Sequence, residues 1–210
     1  MWLKRNIGTL AGVMLSCNTF ATDLSDFPPC EAQACQSVAQ NEDWPNANSH
    51  KMHDVSFQGF HFSIPNHGKE TRTNPSFRQI DYDATHGLSL SVYKRSDMDE
   101  LFKASNYSMI DWADIVFTKT PHDKVPQTKA EAFAWYAVLM SKVVFVGGNM
   151  VTRYAQSPFA AYVIYDTFTK NNIIMIGSKK LPNVLLKIEL HGFDHQVAKN
   201  IIASLRSSSE

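Results

Sequence analysis

The hydrophobic pattern changes period along the chain. From Val55 to Ile64 it repeats every two residues: Val55, Phe57 and Gly59 share one parity, and Phe60, Phe62 and Ile64 share the other. Side chains alternate across a strand, so the slip at Gly59 predicts a bulge or two short strands, ended by Pro65. Asn66 to Pro75 reads as loop and Phe77 to Tyr82 as a further strand. Leu88, Leu90 and Val92 then alternate with Ser89, Ser91 and Tyr93, which predicts a strand with its aliphatic set inward.

Helical spacing takes over in the middle. Ser96 with Asp99, Ser108 with Asp111, and Thr128 with Glu131 each set a hydroxyl three residues before an acid, the capping-box arrangement. Apolar stripes follow: Met98, Leu101 and Phe102, then Ile110, Ile115 and Val116, then Phe133, Ala137 and Met140. Strand patterning returns with Val143–Val146, and Gly147-Gly148-Asn149 reads as the turn of a hairpin to Met150–Ala155. Ala160–Phe168, Ile173–Ile176 and Val184–Leu190 complete the strands, and Asp194 caps a last helix that buries Ile201 and Leu205. Connections this short force mostly antiparallel pairing, and helices grouped between strand blocks predict an α+β domain.

Residues 1–21 follow a different rule. Lys4 and Arg5 precede an apolar run, Ile7 to Leu15, and small residues lead on to Ala21. That order is the order of a secretory signal peptide. The run is shorter than the roughly 20 apolar residues a membrane span needs. Thr19 and Ala21 fit a cleavage site after Ala21; the alternative is Met14-Leu15-Ser16-Cys17, which resembles a lipobox and makes Cys17 a lipidated first residue. The expected location is therefore periplasmic or secreted, with a membrane-anchored lipoprotein as the alternative and the Cys17 lipid as its sole membrane tie. In that compartment Cys30 and Cys35 form an even pair and read as a disulfide. Their five-residue offset turns about 500° around a regular helix, so a bridge there requires a turn or a distorted helix. Residues 22–54, with Phe27-Pro28-Pro29 and the polar stretch 40–49, read as a tether, and residues 55–210 as one α+β domain.

Phe60-His61-Phe62-Ser63-Ile64-Pro65 resembles the opening strand of many Mog1/PsbP-like domains, and Ile201-Ile202-Ala203-Ser204-Leu205-Arg206 resembles their closing helix. The resemblance implies an antiparallel β-sheet flanked by helices, an α/β/α sandwich. That family includes exported bacterial lipoproteins and the extrinsic photosystem II protein, and its roles are mostly binding or assembly. No residue-level role transfers, because no functional position matches.

Charge narrows the function classes. Lys plus Arg and Asp plus Glu are 20 each, and removing residues 1–21 takes away Lys4 and Arg5 alone, leaving a net charge near −2. Nucleic-acid binding selects for clustered cations, so no nucleic acid is expected as partner. Neither a nucleophile elbow, an HExxH motif, a P-loop nor a dinucleotide fingerprint occurs. His61, His191 and His195 form the alternative, a metal centre if the strands neighbour; His191 and His195 fall on a strand end and a helix start and not on one helix face. Asp81 and Asp83 share a strand face, a spacing that could divide acid and base work. Tyr154, Tyr162 and Tyr165 lie along the strand meander, where any left uncovered would form an interaction surface. No cofactor and no catalytic residue is expected. The reading is an exported, non-catalytic binding or interaction protein of the bacterial periplasm or envelope, with an unknown protein or small ligand as partner and an immunity or inhibitor protein as its specialised form. Its surface would be a sheet face or the loops 66–76 and 119–127. A hydrolase or metal-dependent enzyme of the same compartment is the alternative.

Overall fold

Gln58 and Gly59 both take positive φ, 51° and 84°, the backbone a two-residue hairpin turn of the primed type requires. The parity slip at Gly59 is thus a hairpin and not a bulge. In the computed structural model, which describes residues 31–46, 51–98, 100–104, 107–166, 168–169 and 171–206, the elements run as follows. Helix α1 (Gln33–Gln36) and strand β1 (Gln40–Glu42) precede the hairpin β2 (Met52–Phe57) and β3 (Phe60–Pro65). Strands β4 (Lys69–Asn74), β5 (Phe77–Asp81) and β6 (Gly87–Lys94) lead to helices α2 (Glu100–Ala104), α3 (Met109–Thr118) and α4 (Lys129–Phe145). Strands β7 (Met150–Gln156), β8 (Phe159–Tyr165), β9 (Asn172–Ser178) and β10 (Val184–His191) follow, and α5 (His195–Ala203) closes the chain.

Eight strands form one sheet in the order β1-β7-β8-β9-β10-β6-β5-β4. Every pairing is antiparallel except that of β1 with β7, which is parallel. The alternation seen in the sequence decides the two faces. Leu88, Leu90, Tyr154, Ala161, Val163, Ile174, Ile176, Leu186, Ile188 and Leu190 point to one side, where they meet Phe57, Phe60, Phe62 and Ile64 of the hairpin and Ala198, Ile201, Ile202 and Leu205 at the closing helix. Val151, Ala160, Tyr162, Ile164, Met175 and Leu185 point to the other, under Met109, Trp112, Ala113, Val116 and Phe117 of α3 and Trp135, Val138 and Leu139 of α4. The sheet is therefore flanked by helices on both faces, an α/β/α sandwich of mixed α+β architecture.

The capping signals position the helices as expected. The Ser108 hydroxyl accepts from the Asp111 N–H at 3.2 Å while the Asp111 carboxylate accepts from the Ser108 N–H at 2.9 Å. Thr128 accepts from the Glu131 N–H and Asp194 from the Val197 N–H. Asp99 lies outside the described residues.

Three expectations are corrected. Val143–Val146 is not a strand: residues 143–145 end α4, and Gly147 follows at φ 58°. A short apolar run has no period of its own, so it cannot separate a strand from a buried helix turn. Lys69–Asn74, read as loop, is the edge strand β4; all six residues are exposed, so it carries no alternation. Residues 31–46, read as part of a tether, pack on the domain: β1 extends the sheet and α1 lies on α4. The expected disulfide falls on Cys30, which lies outside the described residues; its expected partner Cys35 is fully buried on α1, its sulfur 3.7 Å from the Leu139 carbonyl oxygen of α4. The leader 1–21 and Cys17 also lie outside the described residues, within which no helix is long and apolar enough to cross a membrane.

Candidate functional site

Arg153 on β7 and Tyr162 on β8 are direct cross-strand partners, so their side chains leave the same sheet face. Asp114 stands over them on α3. Tyr162 Oη donates to Asp114 Oδ1 at 2.7 Å, and Arg153 Nε donates to the same oxygen at 3.1 Å. A second Arg153 nitrogen donates to the Asn41 side-chain oxygen of β1 at 3.4 Å. Tyr162 is fully buried, and burial together with the neighbouring Asp114 charge raises its phenol far above the ordinary range. For Arg153, burial works to lower the guanidinium pKa; Tyr162 and Asp114 outweigh it and the pKa ends above its usual value.

Asp114 and Arg153 wall a cleft of about 350 Å³ between α3 and the β7–β8 turn, with Tyr162 buried behind them. Ile110 and Asp111 join Asp114 from the helix; Ala155, Gln156, Ser157, Pro158, Phe159 and Ala160 come from the strands and their turn; Lys179 closes the far side. Small residues bring the helix this near. Ala155, Ala160 and Gly177 pair across β7, β8 and β9 in one row. A Cβ at Gly177 would meet the Ile110 side chain at 2.8 Å and its Cα at 3.1 Å. The capping box fixes Asp111, and the Met109 N–H donates to the Pro182 carbonyl at 2.7 Å, so the start of α3 is tied to the sheet's edge of the cleft. The Ser157–Pro158 peptide at the turn is cis.

Chemically the cleft offers a carboxylate and a guanidinium in fixed orientation, a second acid and a second cation at its margins, and an apolar floor from Ile110 and Phe159. Pockets that hold small ligands or single anchoring side chains span about 300–1,000 Å³ and combine apolar walls with a few convergent polar groups. Neither His nor Cys stands in its lining.

The residues singled out from the sequence fall elsewhere. His61 lies on β3 with its Nδ1 2.7 Å from the Ser56 hydroxyl. His191 ends β10 opposite Gly87. His195 opens α5, its Nδ1 3.1 Å from Asn172 Oδ1, and burial lowers its pKa with help from Lys199. Among the described residues no three His, Cys, Asp or Glu side chains could hold a metal ion together, so the His61, His191 and His195 metal alternative is corrected. The aromatic surface is corrected as well. Tyr154 and Tyr162 are fully buried, on opposite faces, because helices cover both sides of the sheet. Tyr154 Oη donates to Glu42 at 2.9 Å, and only Tyr165, beside the His195 ring, keeps some exposure. Asp83 accepts from the N–H groups of Thr85 and His86 and so closes a turn, while Asp81 accepts from Gln79.

Sequence reasoning passed over Asp114 and Arg153. The signal was present: Arg153 sits at the same parity as the core residue Val151, and Asp114 interrupts the otherwise apolar run from Ile110 to Phe117. Opposite charges at two inward positions predict that the elements carrying them meet.

No protein-family model matches the chain, and no curated protein matches it in sequence. Among solved structures, a protein of Bacteroides thetaiotaomicron is similar over 78% of this chain and 50% of that one, at 10% identity and a TM-score of 0.36. The chain thus spans about half the length of that protein. A Mog1 mutant is similar over 74% of this chain and 95% of that one, at 6% identity and a TM-score of 0.37. The chain has a weak structural resemblance to Mog1, one of general fold alone.

Proposed function

We propose that this chain is an exported, non-catalytic binding protein of the bacterial periplasm or envelope, and that the Asp114–Arg153 cleft receives a polar segment of a partner protein. The observation that supports the reading is Asp114 Oδ1, held at 2.7 Å and 3.1 Å by Tyr162 and Arg153 on the wall of an open cleft. Groups oriented before a ligand arrives bind it without the ordering cost that flexible side chains incur. Both donors bond Asp114 Oδ1 and hold the carboxylate in one orientation, which suits it to recognise a donor group of a partner. Export rests on the order of Lys4, Arg5, the run from Ile7 to Leu15 and Ala21. An immunity or inhibitor protein is the specialised form, its partner then being a toxin or enzyme of the same compartment.

The test is a photo-crosslinking residue placed at Gln156, on the cleft wall, in the protein as the producing cell makes it. The proposal expects one discrete protein adduct that disappears when Arg153→Met is added, and no such adduct from the same probe at Arg72 on the exposed edge strand β4. No adduct at Gln156, or one indifferent to Arg153→Met, would overturn it.

A further inference from the structure

Among the described residues, six of the seven exposed large hydrophobics belong to one end of the molecule. Met140, Val143 and Val144 lie on the last turns of α4, Met150 begins β7 directly after the Gly147-Gly148-Asn149 connection, and Val38 lies in the segment between α1 and β1. Met150 pairs with Tyr165, and Phe168 follows in the β8–β9 turn at the same end of the sheet. Met140, Val143 and Val144 are spaced three and four apart, so they form a stripe on α4, whose opposite side is buried in the core. A helix apolar all round is ordinarily covered all round; this one is covered on one side.

The same end holds a cleft of about 200 Å³ lined by Val38, Ala39, Phe117, Val146, Met150 and Val151, with Ser37, Gln40 and Asn149, and by no charged side chain. A projecting group stands at the same end of the sheet. Phe168 is 94% exposed, and Asp166 fixes the turn that presents it: its carboxylate accepts the N–H groups of Phe168 and Thr169 and the Thr169 hydroxyl. An uncharged recess and an apolar projection thus lie at one end of one chain.

We infer that this end is the interface of a symmetric dimer, with Phe168 of each copy seated against the uncharged cleft of the other and the α4 stripes packed between them. A two-fold interface must be self-complementary, each patch supplying both the projection and the recess, and this end of the chain supplies both. Charge favours the same occupant. The cleft lining and the α4 stripe carry no charge, as the centres of homodimer interfaces do, and without residues 1–21 the chain carries a net charge of only about −2, a weak repulsion between two copies. The inference stands apart from the Asp114–Arg153 cleft, which is walled by a different part of α3 and by the β7–β8 turn.

Sedimentation over roughly a hundredfold range of concentration tests it, since a reversible dimer must follow mass action. The full chain is expected to dimerise, and Phe168→Ser to raise the dimer dissociation constant about tenfold or more, as loss of an anchoring aromatic does. Phe168 is almost wholly exposed in the single chain, so the variant should keep the parent's circular dichroism; Met150→Glu, 63% exposed, provides a second disruption. A monomer at every concentration, or a dimer indifferent to both substitutions, would overturn the inference. So would a monomer that adsorbs to phosphatidylcholine vesicles through this face, which would assign it to a lipid surface.

Discussion

At the residue scale two buried polar groups set the energetics. The Tyr162 hydroxyl donates to a carboxylate, a bond of the stronger kind, worth about 1.5–3 kcal/mol. Asp114 is partly exposed and can turn to water, so Tyr162→Phe is expected to cost about 1–2 kcal/mol in urea unfolding and to leave the fold intact. Lys142 of α4 is the more unusual group. Its ammonium is fully buried and donates to the carbonyl oxygens of Ser37 at 2.6 Å and Cys35 at 3.4 Å, and to that of Lys119. Ser37 and Lys119 are the C-caps of α1 and α3, so one lysine serves carbonyls at the ends of two helices that lack intrahelical donors. Burial pushes its pKa down to about 8, against a smaller opposing pull from Asp123. A lowered pKa in a base means the folded state gives up its proton first. Between about pH 8 and the ordinary lysine value the unfolded chain then binds more protons, and stability rises with pH across that window. Urea midpoints measured from pH 7 to 10 should rise in the parent relative to Lys142→Met, which has no such group. Above pH 10 Tyr82, Tyr154 and Tyr162 act in the opposite sense: each phenol is raised by burial, so their contribution is full below pH 10 and lost as pH rises further. Parallel curves for parent and variant between pH 8 and 10 would contradict the assignment.

At the element scale the site depends on how closely α3 approaches the sheet. Gly177→Ala puts a methyl group into the Ile110 side chain and near its backbone. Overpacking of this kind costs about 1–3 kcal/mol, and the expected response is an outward shift of the start of α3 that opens the cleft. Adding Ile110→Ala makes room for the new methyl, so the double variant should show less loss than the sum of the two singles in thermal unfolding; additive losses would mean the helix does not press on Gly177. The same elements show what the sequence revealed. Helix α3 was readable because Ser108 and Asp111 announce its start, and β6 because Leu88, Leu90 and Val92 alternate. Helix α4 was misread at both its face and its end. Met140 was expected inside and is 43% exposed, while Trp135, Val138 and Leu139 carry the burial. A helix apolar on every side has no preferred stripe to read. Strand β4 gave no signal because an edge strand with polar side chains on both faces has no alternation, only unpaired backbone that its charges protect.

At the scale of the whole molecule, the α+β class and the antiparallel sheet were legible because strands joined by a few residues have little choice of direction. The cleft was not, since it joins Asp114 of α3 to Arg153 of β7, 39 residues apart, and no local pattern says which helix will cover which strand. Nor was the docking of residues 31–46, whose contacts are long-range: Cys35 meets α4 and Glu42 accepts from Tyr154 and, at 2.9 Å, from Lys199 of α5. The account places ligand recognition in the Asp114–Arg153 cleft and self-association at the far end of α4. The most direct measurement is hydrogen–deuterium exchange of the full chain, alone and with the partner captured at Gln156, at one fixed concentration of chain. The account predicts new protection in residues 108–116 and 153–160, with no change in residues 140–150. Protection confined to 140–150, with the cleft segments unchanged, would contradict it.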